Sequence, residues 1–390
     1  MNNDPDTGDP NFFGGKARLY YGRWDYKYEQ AARLGAIAAM VIHTDSSAGY
    51  PWQVVQTSWS GKQFELPVAA EQNQTTTAFL MKSWLTDEAA KQLVQLGGQG
   101  LDQLRACAER RSFKPVPLGV TLSTVIKTKY RKLKTANIIG RLPGSDPVLQ
   151  KQAVVLTAHY DHLGIGTAVA GDSIYNGSLD NASGVASMLA LAQAFVQLSP
   201  TEMRRSLVFA AVDGEEAGLL GSQYYAEHPT DSPNQIAAAI NIDGINIWGK
   251  SRDITIVGFG KSTIDEVVKA VAQEVGRIVL PDQMPEQGSF YRSDQFNFAK
   301  IGVPVLYLDV GLDIIDRPPG WGKEQVEGWN KLYYHQPTDE YDPNWDLTGQ
   351  VEDLKLTFRV ALRLANDEQM PTWLPGDEFE SVRLESLRKK

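Results

Sequence analysis

The sequence predicts an α/β protein: a mixed, largely parallel sheet covered by helices on both faces, with a smaller α+β domain ahead of it. Three observations carry this expectation. Beyond Asn137, short apolar runs alternate with longer amphipathic stretches, the pattern of strands joined by crossover helices. Lys114-Pro115-Val116-Pro117 interrupts the chain before that alternation, and two prolines disfavour continued regular structure. Residues capable of chemistry follow directly on the apolar runs, where an open α/β sheet places its ligand crevice. The expected domains are residues 1–114 and 115–390.

Taken in order, residues 1–15 are polar and turn-rich and are expected to fray. Tyr26 to Leu34 reads as a helix stopped by Gly35, and Ala36 to His43 as a strand. Thr44 to Lys62 reads as a long loop, and Leu66 to Ala70 as a short strand. Thr86–Leu96 and Gly100–Glu109 read as amphipathic helices flanking Gly97-Gly98. Leu118 to Thr128 alternates apolar and polar residues like an antiparallel strand, and Asn137 to Leu142 is a strand stopped by Pro143-Gly144. Further strands are expected at 153–157, 207–212, 237–242, 253–257 and 303–308, and helices at 182–198, 217–227, 262–275 and 346–366. The tail from Gly376 is charged and expected to be solvated.

Composition bounds the function. Lys and Arg number 38 against 47 Asp and Glu, a formal charge of −9, which argues against a nucleic-acid or anionic-membrane partner. No run of about 18 apolar residues is present, so no membrane span is expected. The single cysteine, Cys107, can form neither an intramolecular disulfide nor a thiolate metal site. The first residues lack the basic and apolar regions of a signal peptide, although a mature or truncated secreted chain with an added Met would look the same.

The chemistry clusters after the strands. His159 closes the run Ala153–Thr157, and Asp180 opens the helical run from Ala182. Asp213-Gly214-Glu215-Glu216 follows the strand at 207–212, Asp243-Gly244 the strand at 237–242, and His335 lies in Tyr334-His335-Gln336-Pro337-Thr338-Asp339, after a stretch rich in Gly and Trp that reads as a long loop. Alone, His159 reads as a packed core histidine and Glu215-Glu216 as a solvated helix start favoured by the helix dipole. Together they form an imidazole and carboxylate set without thiolates, which suits catalytic Zn²⁺ with an open position for water. Two histidines shared between two metals require a bridging carboxylate, which holds a hydroxide between ions about 3.5–4 Å apart.

The motifs TAHYDHLG (157–164), SLDNASG (178–184), GEEAGLLGS (214–222), NIDG (241–244) and YHQPTDEYD (334–342) resemble, in order and spacing, the M28 family of two-zinc peptidases across roughly residues 118–366. The resemblance implies a zinc-exopeptidase (phosphorylase/hydrolase-like) fold and two Zn²⁺ per chain. It implies His159 and Asp243 on one zinc, Glu216 and His335 on the other, and Asp180 bridging. Glu215 would be the general base and acid serving a bridging hydroxide, and Asp161 the carboxylate that orients His159. Tyr291 and Tyr334 are both candidates to hydrogen-bond the oxyanion. His162 reads as structural or at the rim. The implied activity is aminopeptidase action on peptides, in a secreted or periplasmic setting; no oligomeric state is assigned.

Two positions depart from the family pattern. Gly244 stands where Met is frequent, and Gln295 where a histidine often follows Ser-Asp. KYEQAARLGAIAAMVIHTD with LPVAA resembles a protease-associated domain; the chain begins almost inside it, as a truncated or shortened member would. Rival readings are a carboxypeptidase or dipeptidase using Arg292 for a substrate carboxylate, a single-zinc relative similar to glutaminyl cyclase, and a non-catalytic receptor-like member.

Overall fold

In the computed structural model, residues 15, 17–67, 79–110 and 112–388 are described. All but residue 15 of the segment 1–15 expected to fray, and most of the expected strand at Leu66–Ala70, lie outside them. By compactness the chain divides in an interleaved way. One unit comprises Met1–Gln56, Pro67–Lys134 and Met284–Tyr291; the other comprises Thr57–Leu66, Thr135–Gln283 and Arg292–Lys390.

The first unit pairs β1 (Ala38–Ile42) in parallel with β2 (Met81–Leu85). Its helices are α1 (Trp24–Arg33), α2 (Asp45–Ala48), α3 (Trp52–Trp59, which runs on into the second unit), α4 (Asp87–Leu96) and α5 (Leu101–Ala108). Thr86 caps α4, its hydroxyl accepting the Ala89 N–H at 3.1 Å, a contribution of about 1 kcal/mol. Ala90, Val94 and Leu101 form a small core with Ile42, Leu85, Leu104 and Leu118. His43 is buried among the rings of Tyr50, Trp52 and Trp84.

The second unit holds a seven-stranded mixed sheet in the order β10-β9-β11-β8-β4-β7-β3. The strands are β3 (Ile138–Leu142), β4 (Ala153–His159), β7 (Ser206–Val212), β8 (Ile236–Asn241), β9 (Asp253–Ile256), β10 (Ile278–Pro281) and β11 (Val305–Asp309); β5 (Gly164–Val169) and β6 (Asp172–Tyr175) form a separate antiparallel hairpin. Pairings β4–β7, β4–β8, β8–β11 and β9–β10 are parallel, while β3–β7 and β9–β11 are antiparallel. The helices are α6 (Ser183–Val196), α7 (Leu220–Glu227), α8 (Ile264–Glu274), α9 (Gln295–Lys300), α10 (Trp321–Leu332), α11 (Thr348–Asn366) and α12 (Glu380–Arg388). Every residue of β4 is buried, as expected of a central parallel strand covered on both faces. Val154, Leu156 and Ala158 join the core built with α6, α8 and α11. The intervening Val155 faces the opposite side by the period-two pleat, where α9 packs on β8 and β11, and α7 on α9.

Four expectations are corrected. Residues 118–128 form no strand and expose Val120, Leu122, Val125 and Ile126; alternation without a partner strand makes no ladder. The loop expected at 44–62 contains α2 and α3. The stretch before His335 is helical, as α10. The charged tail folds as α12, anchored by Arg383, which is 1% exposed and donates to the Pro233 carbonyl at 2.7 Å.

Candidate metal centre

Strand β4 lies between β7 and β8, all three parallel, so the chain leaves β4 for one neighbour and later returns to the other. Such a switch opens a crevice beyond the strand ends. His159 is in register with Val212 and Thr157 with Asn241. His159 therefore ends β4 beside the segments that carry Asp213–Glu216 and Asp243 out of β7 and β8. Asp180 sits in the turn Ser178–Ala182 ahead of α6, and its peptide bond to Asn181 is cis. His335 follows α10 at φ +55°, a left-handed conformation uncommon for a non-glycine residue.

The side chains converge. His159 Nε2 lies 3.3 Å from Asp243 Oδ1 and 3.3 Å from Asp180 Oδ1. His335 Nε2 lies 3.3 Å from Asp180 Oδ2 and 3.0 Å from Glu216 Oε2. The two oxygens of Asp180 thus face two different histidines. His159, Asp180 and Asp243 form one group able to hold a cation; Asp180 and Glu216 form a second, joined by His162. The five residues expected as ligands are brought together, and Glu215 is beside them.

Partners hold the set in place. The backbone N–H groups of Leu179 and Asp180 donate to the Asp339 carboxylate at 2.9 and 3.0 Å. Asn181 donates to the Ile242 carbonyl at 2.9 Å and accepts from the N–H groups of Gly184 (2.9 Å) and Gly244 (3.1 Å), tying α6 to the segment after β8. Gly244 takes φ +80°, which glycine adopts without steric cost. The Ser293 hydroxyl donates to Asp243 Oδ2, and the Tyr307 hydroxyl to the Asp243 carbonyl at 3.2 Å. Gln295 is buried and accepts from Asn241 at 2.9 Å, so it packs inward.

Asp161 is placed differently from the expectation. Its backbone carbonyl accepts from His159 Nδ1 at 3.1 Å, while its carboxylate stands 3.7 Å from that nitrogen. That carboxylate accepts instead the N–H groups of Glu215 and Glu216, at 3.1 and 3.2 Å. His162 is no rim residue: its Nδ1 lies 2.7 Å from Glu216 Oε1, with the ring 7% exposed. Tyr334 stacks on His335 with centroids 3.9 Å apart and accepts from Arg292 at 3.2 Å. Tyr291 belongs to the other unit, its ring beside Phe290 and Tyr20. His162, Ser58, Ser293 and Asp339 were missed as contributors. Asp339 and His162 carried a signal through their places in the YHQPTDEYD and TAHYDHLG motifs, and Ser293 through the Ser-Asp pair before Gln295; Ser58 carried none.

The electrostatics test whether the donors fit a cation. Burial lowers the His335 imidazole, but Glu216 and Asp180 outweigh it and push it up to about 10. His159 is likewise raised well above its ordinary value, against the cost of burial, by Glu215 and Asp243. Burial opposes ionisation of Glu216 and Asp180, yet the facing imidazoles bring Glu216 down to about 2 and Asp180 well below its usual value. Carboxylates outnumber imidazoles, and the cluster draws positive charge to itself. That demand, the nitrogen and oxygen donors and the absence of thiolates fit Zn²⁺. Glu215 is the exception: burial raises it well above the carboxylate range, and Asp243, Glu216 and Asp294 add to that effect, opposed by His159.

The profile of Peptidase family M28 matches residues 137–359, which contain all five ligand candidates. Vacuolar membrane proteases of Vanderwaltozyma polyspora and Clavispora lusitaniae are 32% and 26% identical over 32% and 50% of this chain. The chain spans only 12% and 19% of their lengths. A probable zinc metalloprotease of Pyrenophora tritici-repentis is 43% identical over 17% of this chain and 15% of its own. The zinc aminopeptidase BSAP of Bacillus subtilis is 23% identical, with a TM-score of 0.45 over 63% of this chain and 53% of that one. With more than half of its length matched by the family profile, this chain belongs to peptidase family M28.

Proposed function

We propose that the chain is a two-zinc aminopeptidase, hydrolysing the peptide bond that follows a free N-terminal residue. The observation that carries the two-metal reading is the Asp180 carboxylate, with Oδ1 toward His159 and Oδ2 toward His335. His159 and Asp243 would hold one ion, Glu216 and His335 the other, and Asp180 both. Bound zinc supplies Lewis acidity toward the scissile carbonyl and a water acidified to near pH 7.

The chain's residues do the remaining work. Glu215, raised by burial, accepts the proton of the attacking water and delivers it to the leaving amine, a role worth about 10²–10⁴-fold in rate. Tyr334, beside His335, donates its hydroxyl to the developing oxyanion; burial raises its pKa, so it keeps that proton. A secreted or periplasmic setting accords with this reading, and among the described residues no helix is long and apolar enough to cross a membrane.

One observation favours a second reading, a carboxypeptidase or dipeptidase: the Arg292 guanidinium lies at Tyr334 and could hold a substrate carboxylate. A chromogenic aminoacyl panel, run with and without chelator and alongside N-acetylated substrates, tests both. The aminopeptidase reading expects turnover abolished by chelator and by N-acetylation. Equal turnover of blocked substrates sinks it.

A further inference from the structure

The two half-sites are supported unequally. On the His159 side the ring leans on a backbone carbonyl, and Asp243 on Ser293. On the other side both ligands are held by side chains from distant segments. His162 Nδ1 stands 2.7 Å from Glu216 Oε1. A carboxylate only accepts, so this nitrogen carries the proton and donates. The pair is closed to solvent, its side chains 7% and 5% exposed. Ser58 Oγ stands 2.7 Å from His335 Nδ1, across 277 residues of sequence. If His335 Nε2 is to hold a cation, Nδ1 bears the hydrogen and Ser58 accepts it. With those outer atoms engaged, Glu216 Oε2 and His335 Nε2 turn toward each other at 3.0 Å.

The ring of His162 is itself braced. Gly177 takes φ +65°, and a Cβ there would lie 2.5 Å from His162 Cγ, so the glycine leaves the imidazole the room it occupies. The rings of His162 and His335 meet edge to face, with centroids 5.8 Å apart.

We infer that His162 and Ser58 are positioning residues for the Glu216–His335 half-site, His162 fixing the Glu216 carboxylate and Ser58 fixing the His335 ring. The inference rests on the two-ion reading of the centre. Outer partners of metal ligands typically contribute about 10–100-fold in metal affinity. Their loss here weakens one ion and spares the other.

The test is zinc binding to the full chain at buffered free zinc, with metal per chain measured after dialysis, Co²⁺ absorption as a second readout and thermal melting of the chelated protein as a check on folding. The wild type is expected to hold two ions. His162→Ala and Ser58→Ala are each expected to keep the first ion, to bind the second about 10–100-fold more weakly, and to remain cooperatively folded when metal-free. Ser58→Thr, which keeps the hydroxyl, is expected to restore the second ion. The inference is overturned if both alanine variants bind the second ion as the wild type does. It is equally overturned if both ions weaken together, or if His162→Ala abolishes the second ion outright, which would make His162 a ligand. A wild type holding one ion per chain overturns the two-ion reading instead; unchanged affinity for that single ion in both variants would then overturn the positioning roles as well.

Discussion

The Asp161 carboxylate spans the turn that carries Glu215 and Glu216, one oxygen on each backbone N–H at 3.1 and 3.2 Å. Successive side chains diverge from such a turn. A single acid therefore fixes the orientation of the candidate base and of the neighbouring candidate ligand together. An amide at this position has only one accepting oxygen and turns a donor toward the other N–H. Asp161→Asn is expected to lower kcat about 10–100-fold, the scale of losing a hydrogen bond to a charged group, with KM little changed. Steady-state kinetics on an aminoacyl substrate measure it.

Glu215→Gln removes proton acceptance while keeping shape. It is expected to cost about 10²–10⁴-fold in kcat and to leave zinc content at the wild-type level. Unchanged hydrolysis in this variant would remove Glu215 from the mechanism.

Asp294 offers a pH test in the chelated protein. Burial pushes its carboxyl up to about 7, partly offset by His159. A raised folded pKa favours the protonated form, so its contribution is undiminished below the unfolded value near 4 and stability is lost as pH rises through about 7. Asp294→Asn is therefore expected to match the wild type near pH 4 and to exceed it above pH 7, by on the order of 2–4 kcal/mol. Urea unfolding across pH 4–8 gives the comparison, and a constant difference would contradict it.

Gly177→Ala places a Cβ against His162 and within 2.6 Å of the Asp180 carbonyl, at φ +65°. A destabilisation of about 1–3 kcal/mol is expected. Gly140→Ala, in β3 with no atom within 4 Å of its Cβ, is the control and is expected to stay within about 0.5 kcal/mol. Denaturant midpoints measure both.

The ligand candidates were legible because buried parallel strands leave long apolar signatures, and polar residues at or just past their ends fall in the crevice: His159 as the last residue of β4, Glu216 in the segment after β7, Asp243 after β8. What could not be read follows from physics without a local pattern. Ser58 meets His335 only through tertiary folding, and nothing around a lone serine announces that. The sequence leaves His162 as structural or at the rim because its partner Glu216 lies 54 positions away. Asp161 was expected on the His159 ring, whereas the nearer acceptor there is its own backbone carbonyl. Helix α10 was hidden by Gly328 in its interior, about 1 kcal/mol unfavourable relative to Ala, and by Gly322 in its first turn. In α12 the buried anchor is Arg383, whose stem packs although its charge reads as surface.

The linkages that define the centre join residues 84 positions apart at His159 and Asp243, and 159 apart between Asp180 and Asp339. No short piece of the chain carries both oxygens of Asp180 and both histidines they face. Contacts this non-local form late, so during synthesis an ion cannot be caged until the segment bearing His335 has emerged and folded back. On the proposed two-ion reading the full cage exists only when every segment from β4 to His335 is in place, so metal binding would report on the completeness of the fold.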